Sequence, residues 1–170
     1  MQIEERIKWI LVLIHKANYV EGRTRLQKLA FLVRFMAKAI DPKEFYDDWQ
    51  PGRYGPFSRR LAEDIDFMLK EELIGAWPVP NEYGYKVERY ALKEKGKAIV
   101  EDVIRKYPEK VKAIERVVKE YAQAPLMELL YDIYHQFPKY ARFSEIKAEV
   151  DRKSSYRDTI LSEQYDEPDE

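Results

Sequence analysis

Cysteine is missing from this 170-residue chain, and histidine occurs only twice, at His15 and His135. Without cysteine there is no disulfide, no thiolate metal site and no cysteine nucleophile. The two histidines are far apart in sequence, and neither has a local carboxylate-plus-histidine spacing for a metal. Glycine is scarce, with six residues, and no glycine-rich phosphate loop, HExxH helix or nucleophile elbow occurs. Asp and Glu are plentiful, but no pair stands out as an acid–base couple. The expectation is a protein that is not an enzyme, with no catalytic residue, metal ligand or cofactor.

Long apolar runs are missing as well. No segment approaches the roughly 18 apolar residues of a membrane span, and the start, MQIEERIKW, lacks the layout of a secretory leader. A cytoplasmic protein with no membrane partner is expected. Charge of one sign is also lacking: 30 Lys and Arg face 31 Asp and Glu, which disfavours a uniformly basic nucleic-acid binder. The distribution is uneven. Residues 1–108 carry 20 basic and 17 acidic side chains, residues 109–170 carry 10 and 14, so the first part is mildly basic and the last acidic.

What is present is helical periodicity. Arg23 to Ile40 reads RTRLQKLAFLVRFMAKAI, with Leu26, Leu29, Val33, Met36 and Ile40 at steps of three and four and Phe31, Leu32 and Phe35 widening the stripe. A helix this apolar must be clasped on several sides. Its basic amino end, Arg23, Arg25 and Lys28, is expected to reach the surface, with Thr24 as its cap. An amphipathic helix from Ile3 to Ala17 precedes it, and Asp41-Pro42 closes it. Phe45 to Gly55 has no period and reads as an ordered loop. Ser58 is a good N-cap for a third helix ending near Glu72. Leu73–Val79 and Tyr85–Leu92 read as two strands joined by a turn, the first demoted to a short edge strand by Pro78 and Pro80. A fourth helix runs from about Lys93 to Tyr107, with Gly96 marking close packing or a frayed first turn. Two further helices follow Pro108 and Pro125, a short one begins near Phe143, and a disordered acidic tail is expected from Ser154.

Three helices, a hairpin and a return helix is the order of a winged helix-turn-helix domain. The expected fold is mainly α with a small β-hairpin: a winged helix-turn-helix domain over 1–107, a helical extension over 108–153 as a candidate dimerisation region, and the tail over 154–170. In this arrangement the third helix enters the major groove of duplex DNA. Arg59 and Arg60 lie in its first turn, Arg53 and Tyr54 precede it, and Lys86 and Arg89 lie on the wing. Arg23, Arg25 and Lys28 are candidate phosphate contacts. Against this, 36% of the residues are charged, so basic pairs on solvated faces are the ordinary case. Glu63, Asp64 and Asp66 lie on the helix meant to approach DNA, where Glu63 and Asp66 can pair with Arg59 and Lys70 at i,i+4.

Arg25-Leu26-Gln27-Lys28-Leu29-Ala30-Phe31-Leu32, then Tyr54-Gly55-Pro56-Phe57-Ser58 with Leu61, Leu69, Leu73-Ile74, Tyr90-Ala91-Leu92 and Lys95-Gly96, resembles a little-characterised group of archaeal and bacterial winged-helix proteins. More distantly the chain is similar to antitoxin domains with a KLQKLLY-type helix. The resemblance covers roughly residues 5 to 105. It departs at Lys93, where winged-helix regulators often have a threonine that caps the following helix. It implies that Leu26, Leu29, Phe31 and the Gly55-Pro56 bend are architectural.

Thirteen tyrosines are present, crowding the second half. Tyrosine is favoured where one edge packs and the hydroxyl stays wet. Either the last helices pack on the first domain, or Tyr121, Leu126, Leu130 and Tyr134 form a homodimer interface. The expected function is a dimeric DNA-binding transcription regulator. The alternative is an antitoxin-like module that binds a protein partner through its tyrosine-rich carboxy half.

Overall fold

The computed structural model describes residues 2–80 and 84–151; the acidic tail expected from Ser154 lies outside them. Among these residues the chain is mainly helical, with two small antiparallel sheets. Helix α1 (Glu5–Ala17) buries Ile7, every residue from Trp9 to Ile14, and Ala17, so it is apolar around nearly its whole circumference. Strand β1 (Val20–Glu21) is short and leads into α2 (Arg23–Met36).

Helix α2 is the buried element that its stripe predicts, with every residue from Thr24 to Val33 buried. Its start differs from the expectation. Gly22 takes the N-cap position at φ +90°, a conformation that only glycine adopts without strain, and its N–H donates to the Glu88 carbonyl. Thr24 makes no cap: its hydroxyl is buried with no hydrogen-bond partner among the described residues. The helix also stops at Met36 rather than Ile40. A turn over residues 37–40 still tucks Ile40 into the core, ahead of a single 3-10 turn (Pro42–Glu44) capped by Asp41.

The expected loop after it contains a hairpin, β2 (Gln50–Gly52) and β3 (Gly55–Phe57), with Arg53-Tyr54 between them. Three-residue strands built from Pro and Gly carry no alternation, so no period announces them. Gly55 sits at φ +90°, and a Cβ there would come within 2.9 Å of the Tyr134 ring. Both backbone and packing require glycine at that point.

Helix α3 (Arg59–Lys70) ends with Glu72 at φ 57°. The Glu72 N–H donates to Leu69 O and the Leu73 N–H to Met68 O, which satisfies carbonyls left open at the helix end. Strands β4 (Ile74–Pro80) and β5 (Lys86–Leu92) pair throughout, and β1 pairs with the far side of β5, so the sheet order is β1-β5-β4. Strand β4 is an edge, as Pro78 and Pro80 require, but runs for seven residues. The two prolines share one parity, so their missing N–H groups fall on the same side of the strand and the ladder to β5 continues to Pro80↔Lys86.

Helix α4 (Glu94–Lys106) starts beneath Leu73: the Lys93 N–H donates to Leu73 O, and a Cβ on Gly96 would run into the same carbonyl oxygen. Close packing therefore accounts for that glycine. Helices α5 (Pro108–Tyr121) and α6 (Leu126–Gln136) follow, then a 3-10 turn (Pro138–Ala141) and a short α7 (Lys147–Asp151). The last helix begins four residues later than Phe143, because Ser144 Oγ takes the Ile146 N–H in a turn. Residues of α1, α2, α5 and α6 share one hydrophobic core. No described helix is long and apolar enough to cross a membrane.

Candidate functional site

Helix α3 is the element to which the sequence assigns function, and its amino end is built by three other segments. Ser58 caps it, its Oγ accepting the Leu61 N–H at 3.0 Å. The same hydroxyl donates to Asp48 Oδ1 at 2.5 Å, and Asp48 Oδ2 accepts the Arg60 N–H at 2.9 Å. Gln27 holds the Ser58 backbone from behind: its Nε2 donates to Ser58 O, and its Oε1 accepts the Ser58 N–H, both at 2.9 Å. Two of the helix's first N–H groups are thus taken by the chain's own Asp48 and Ser58. A carboxylate already lies at the positive end of the helix dipole, where an incoming phosphate would bind.

The acids of α3 divide. Asp64 turns inward, 6% exposed, and accepts from Arg6 Nε at 2.7 Å and from the Tyr46 hydroxyl at 2.6 Å. Burial, reinforced by the Asp64 charge, holds the Tyr46 phenol well above its ordinary range, so it stays a donor. The hydrogen bond to Asp64, reinforced by its charge and opposed by burial, raises Arg6. Glu63 and Asp66 face outward. Asp66 pairs with Arg23 Nη2 at 2.7 Å rather than along its own helix, and Arg23 Nε donates to the Tyr90 hydroxyl at 3.2 Å. One arginine therefore ties α2 to β5 and α3. Arg59, Glu63, Asp66 and Lys70 form the exposed stripe of α3, with two acids between two bases.

The basic residues nominated for DNA lie in three settings. Arg25, Lys28 and Tyr54 are buried. Arg25 Nη1 donates to the Ala124 carbonyl at 2.6 Å, Lys28 Nζ to the Pro56 carbonyl at 3.0 Å, and Lys28 is 0% exposed. Their charges are spent on the backbone of the α5–α6 connection and of β3, so neither reaches a phosphate. Arg23 and Arg89 are held by acids, Arg89 by Glu21 across the β1–β5 ladder at 2.8 Å, with its guanidinium 4.1 Å from the Tyr19 ring centroid. Arg53, Arg59, Arg60 and Lys86 are exposed. The Arg53 side chain lies 3.9 Å from Glu145.

The nominated dimer residues lie inside the chain. Tyr121, Leu126, Leu130 and Tyr134 are all buried within the chain. Tyr134 covers Gly55 and donates to Ser144 Oγ at 2.8 Å. Intramolecular packing covers these four side chains.

Sequence reasoning missed Gln27 and Asp48 as builders of the α3 terminus, since their partners are 31 and 12 residues away. It also passed over Trp77. That side chain is 45% exposed on the outer face of the β4–β5 hairpin, over Gly75, where a Cβ would come within 2.6 Å of its ring. Among the described residues no group of three or more His, Asp or Glu could hold a metal ion. Compared with protein-family models and with curated proteins, the chain matches none.

Proposed function

We propose that the protein is a binding module of winged-helix type whose exposed α3 face and β4–β5 hairpin recognise another protein. The winged-helix part rests on element order and on the sheet. Helices α1, α2 and α3, a strand between the first two, and a hairpin closed by α4 give the succession expected of that fold, and the order β1-β5-β4 joins the short strand to the far arm of the hairpin. The hairpin β2–β3 is an addition between α2 and α3.

One observation carries the choice of a protein partner over DNA: the outward acids of α3, Glu63 and Asp66, together with Asp48 at its amino end. A helix approaching a duplex meets one negative charge per roughly 1.7 Å of DNA axis, and the carboxylates of Glu63, Asp66 and Asp48 offset the positive charge of Arg59, Arg60 and Lys70 that would favour that approach. Protein surfaces instead favour mixed charge around an aromatic anchor, and Trp77 is such an anchor. The resemblance of Arg25–Leu32 to antitoxin domains favours a partner neutralised by occlusion. In the tyrosine-rich carboxy half Tyr121, Tyr134 and Tyr140 are buried and Tyr107 is exposed, so that half offers fewer free aromatic side chains than its composition suggests.

The second reading is duplex binding through Arg59 and Arg60, both exposed in the first turn of α3. A labelled-duplex titration separates the two. The protein-binding reading expects affinity no tighter than the roughly 1–100 μM of non-specific binding at physiological salt, unaffected by the double change Arg59→Glu, Arg60→Glu. It also expects a co-purifying protein whose capture is lost in Trp77→Ala or Glu63→Lys. Tighter, salt-dependent duplex binding that disappears on reversing the two arginines overturns it in favour of DNA.

A further inference from the structure

A cleft of about 310 Å³ opens where the end of α2 meets the Pro138–Ala141 turn, lined by Phe35, Phe137, Pro138, Lys139 and Tyr140. Its floor is continuous with a buried aromatic cluster: the Phe31 centroid lies 4.7 Å from Phe35, 5.0 Å from Phe137, 4.9 Å from Tyr140 and 5.3 Å from Trp49. Two cations stand on these rings. Lys139 Nζ is 5.0 Å from the Tyr140 centroid, and the Arg34 guanidinium carbon is 4.8 Å from the Phe35 centroid. Arg34 Nε is buried with no hydrogen-bond partner among the described residues. Among the described residues no acid lines the cleft.

We propose that this cleft binds a small amphipathic organic anion, an aryl- or alkyl-carboxylate of about ten to fifteen non-hydrogen atoms. Its size is at the lower end of small-molecule sites, which favours such a ligand over a helix or strand of a partner protein. The aromatic walls take the apolar body. Lys139 supplies positive charge on the lining, with Arg34 behind the Phe35 wall adding to it at longer range, so an anion is preferred to a neutral isostere of the same shape. The turn that carries most of the lining also packs against β2 and β3, the hairpin leading into α3. A ligand seated there abuts the support of the proposed partner-binding face. The inference does not depend on what that face recognises.

The test uses the full chain and 8-anilinonaphthalene-1-sulfonate as a fluorescent probe, displaced by octanoate or 3-phenylpropionate and, in parallel, by 1-octanol or 3-phenylpropanol. Both carboxylates should displace the probe at least about fivefold more effectively than the matching alcohols, and Lys139→Glu should weaken the carboxylates about fivefold while leaving the alcohols unchanged. Lys139 is exposed, so its replacement does not disturb the core, and an unchanged melting curve checks this. Equal displacement by alcohols and carboxylates, no displacement by either, or carboxylate binding indifferent to Lys139→Glu each overturns the proposal.

Discussion

Helices α2 and α3 carry the same kinds of polar side chain and use them in opposite ways. In α2, Arg25, Gln27 and Lys28 lie within ten consecutive buried residues, and each long side chain ends on a backbone group of a distant segment: Ala124, Ser58 and Pro56. In α3, Arg59 and Arg60 lie on the exposed face. The difference comes from what surrounds each helix. Helix α2 is enclosed, so a polar group on it must find an internal partner or bear the cost of desolvation. Helix α3 has a solvated face, where a charge keeps its hydration. Residue type alone does not separate a clamp from a contact surface. Enclosure does.

That contrast can be broken by equivalent changes on the two helices, read as chemical-denaturation stability. The largest effect is expected at Gln27→Leu, which keeps the volume but orphans the Ser58 N–H and leaves the Ser58 carbonyl with the Ala62 N–H alone; about 2 kcal/mol should be lost. A loss under about 1 kcal/mol would mean that the Ser58 backbone finds other partners. Ser58→Ala should cost about 1 kcal/mol, the ordinary worth of an N-cap, and should also release Asp48 from its serine contact. The smallest effect belongs to the exposed pair: Arg59→Gln with Arg60→Gln should shift stability by no more than about 0.5 kcal/mol. If the exposed pair proved as costly as Gln27→Leu, the distinction drawn between the two helices would fail.

The parts legible in the sequence are those that act over a few residues. Ser58 announces the start of α3 because capping is local, whereas Asp41-Pro42 only bounds α2 from outside, the helix having already ended at Met36. Gly96 shows that something comes close, though not that it is the Leu73 carbonyl. The parts that were not legible depend on separation. Thr24 has the chemistry of a cap, but Gly22, held by the Glu88 carbonyl on β5, starts the helix before it. Tyr121 and Tyr134 have the chemistry of an interface, yet the chain's own packing buries both, Tyr134 against Gly55 of β3. Asp64 reads as a repelling acid on a recognition helix until Arg6 and Tyr46 claim it from 58 and 18 residues away.

The sequence by itself determined that the stretch starting at Arg23 would be a helix enclosed on several sides, because no solvated face remains once Leu26, Leu29, Phe31, Leu32 and Val33 are placed at 3.6 residues per turn, though its period ran on to Ile40 and the helix ends at Met36. Only the tertiary structure decided that its basic end serves the fold's interior. The carbonyls of Pro56, Ser58 and Ala124 come to rest beside Lys28, Gln27 and Arg25 only after distant segments have packed, and buried carbonyls bind donors that solvent can no longer supply.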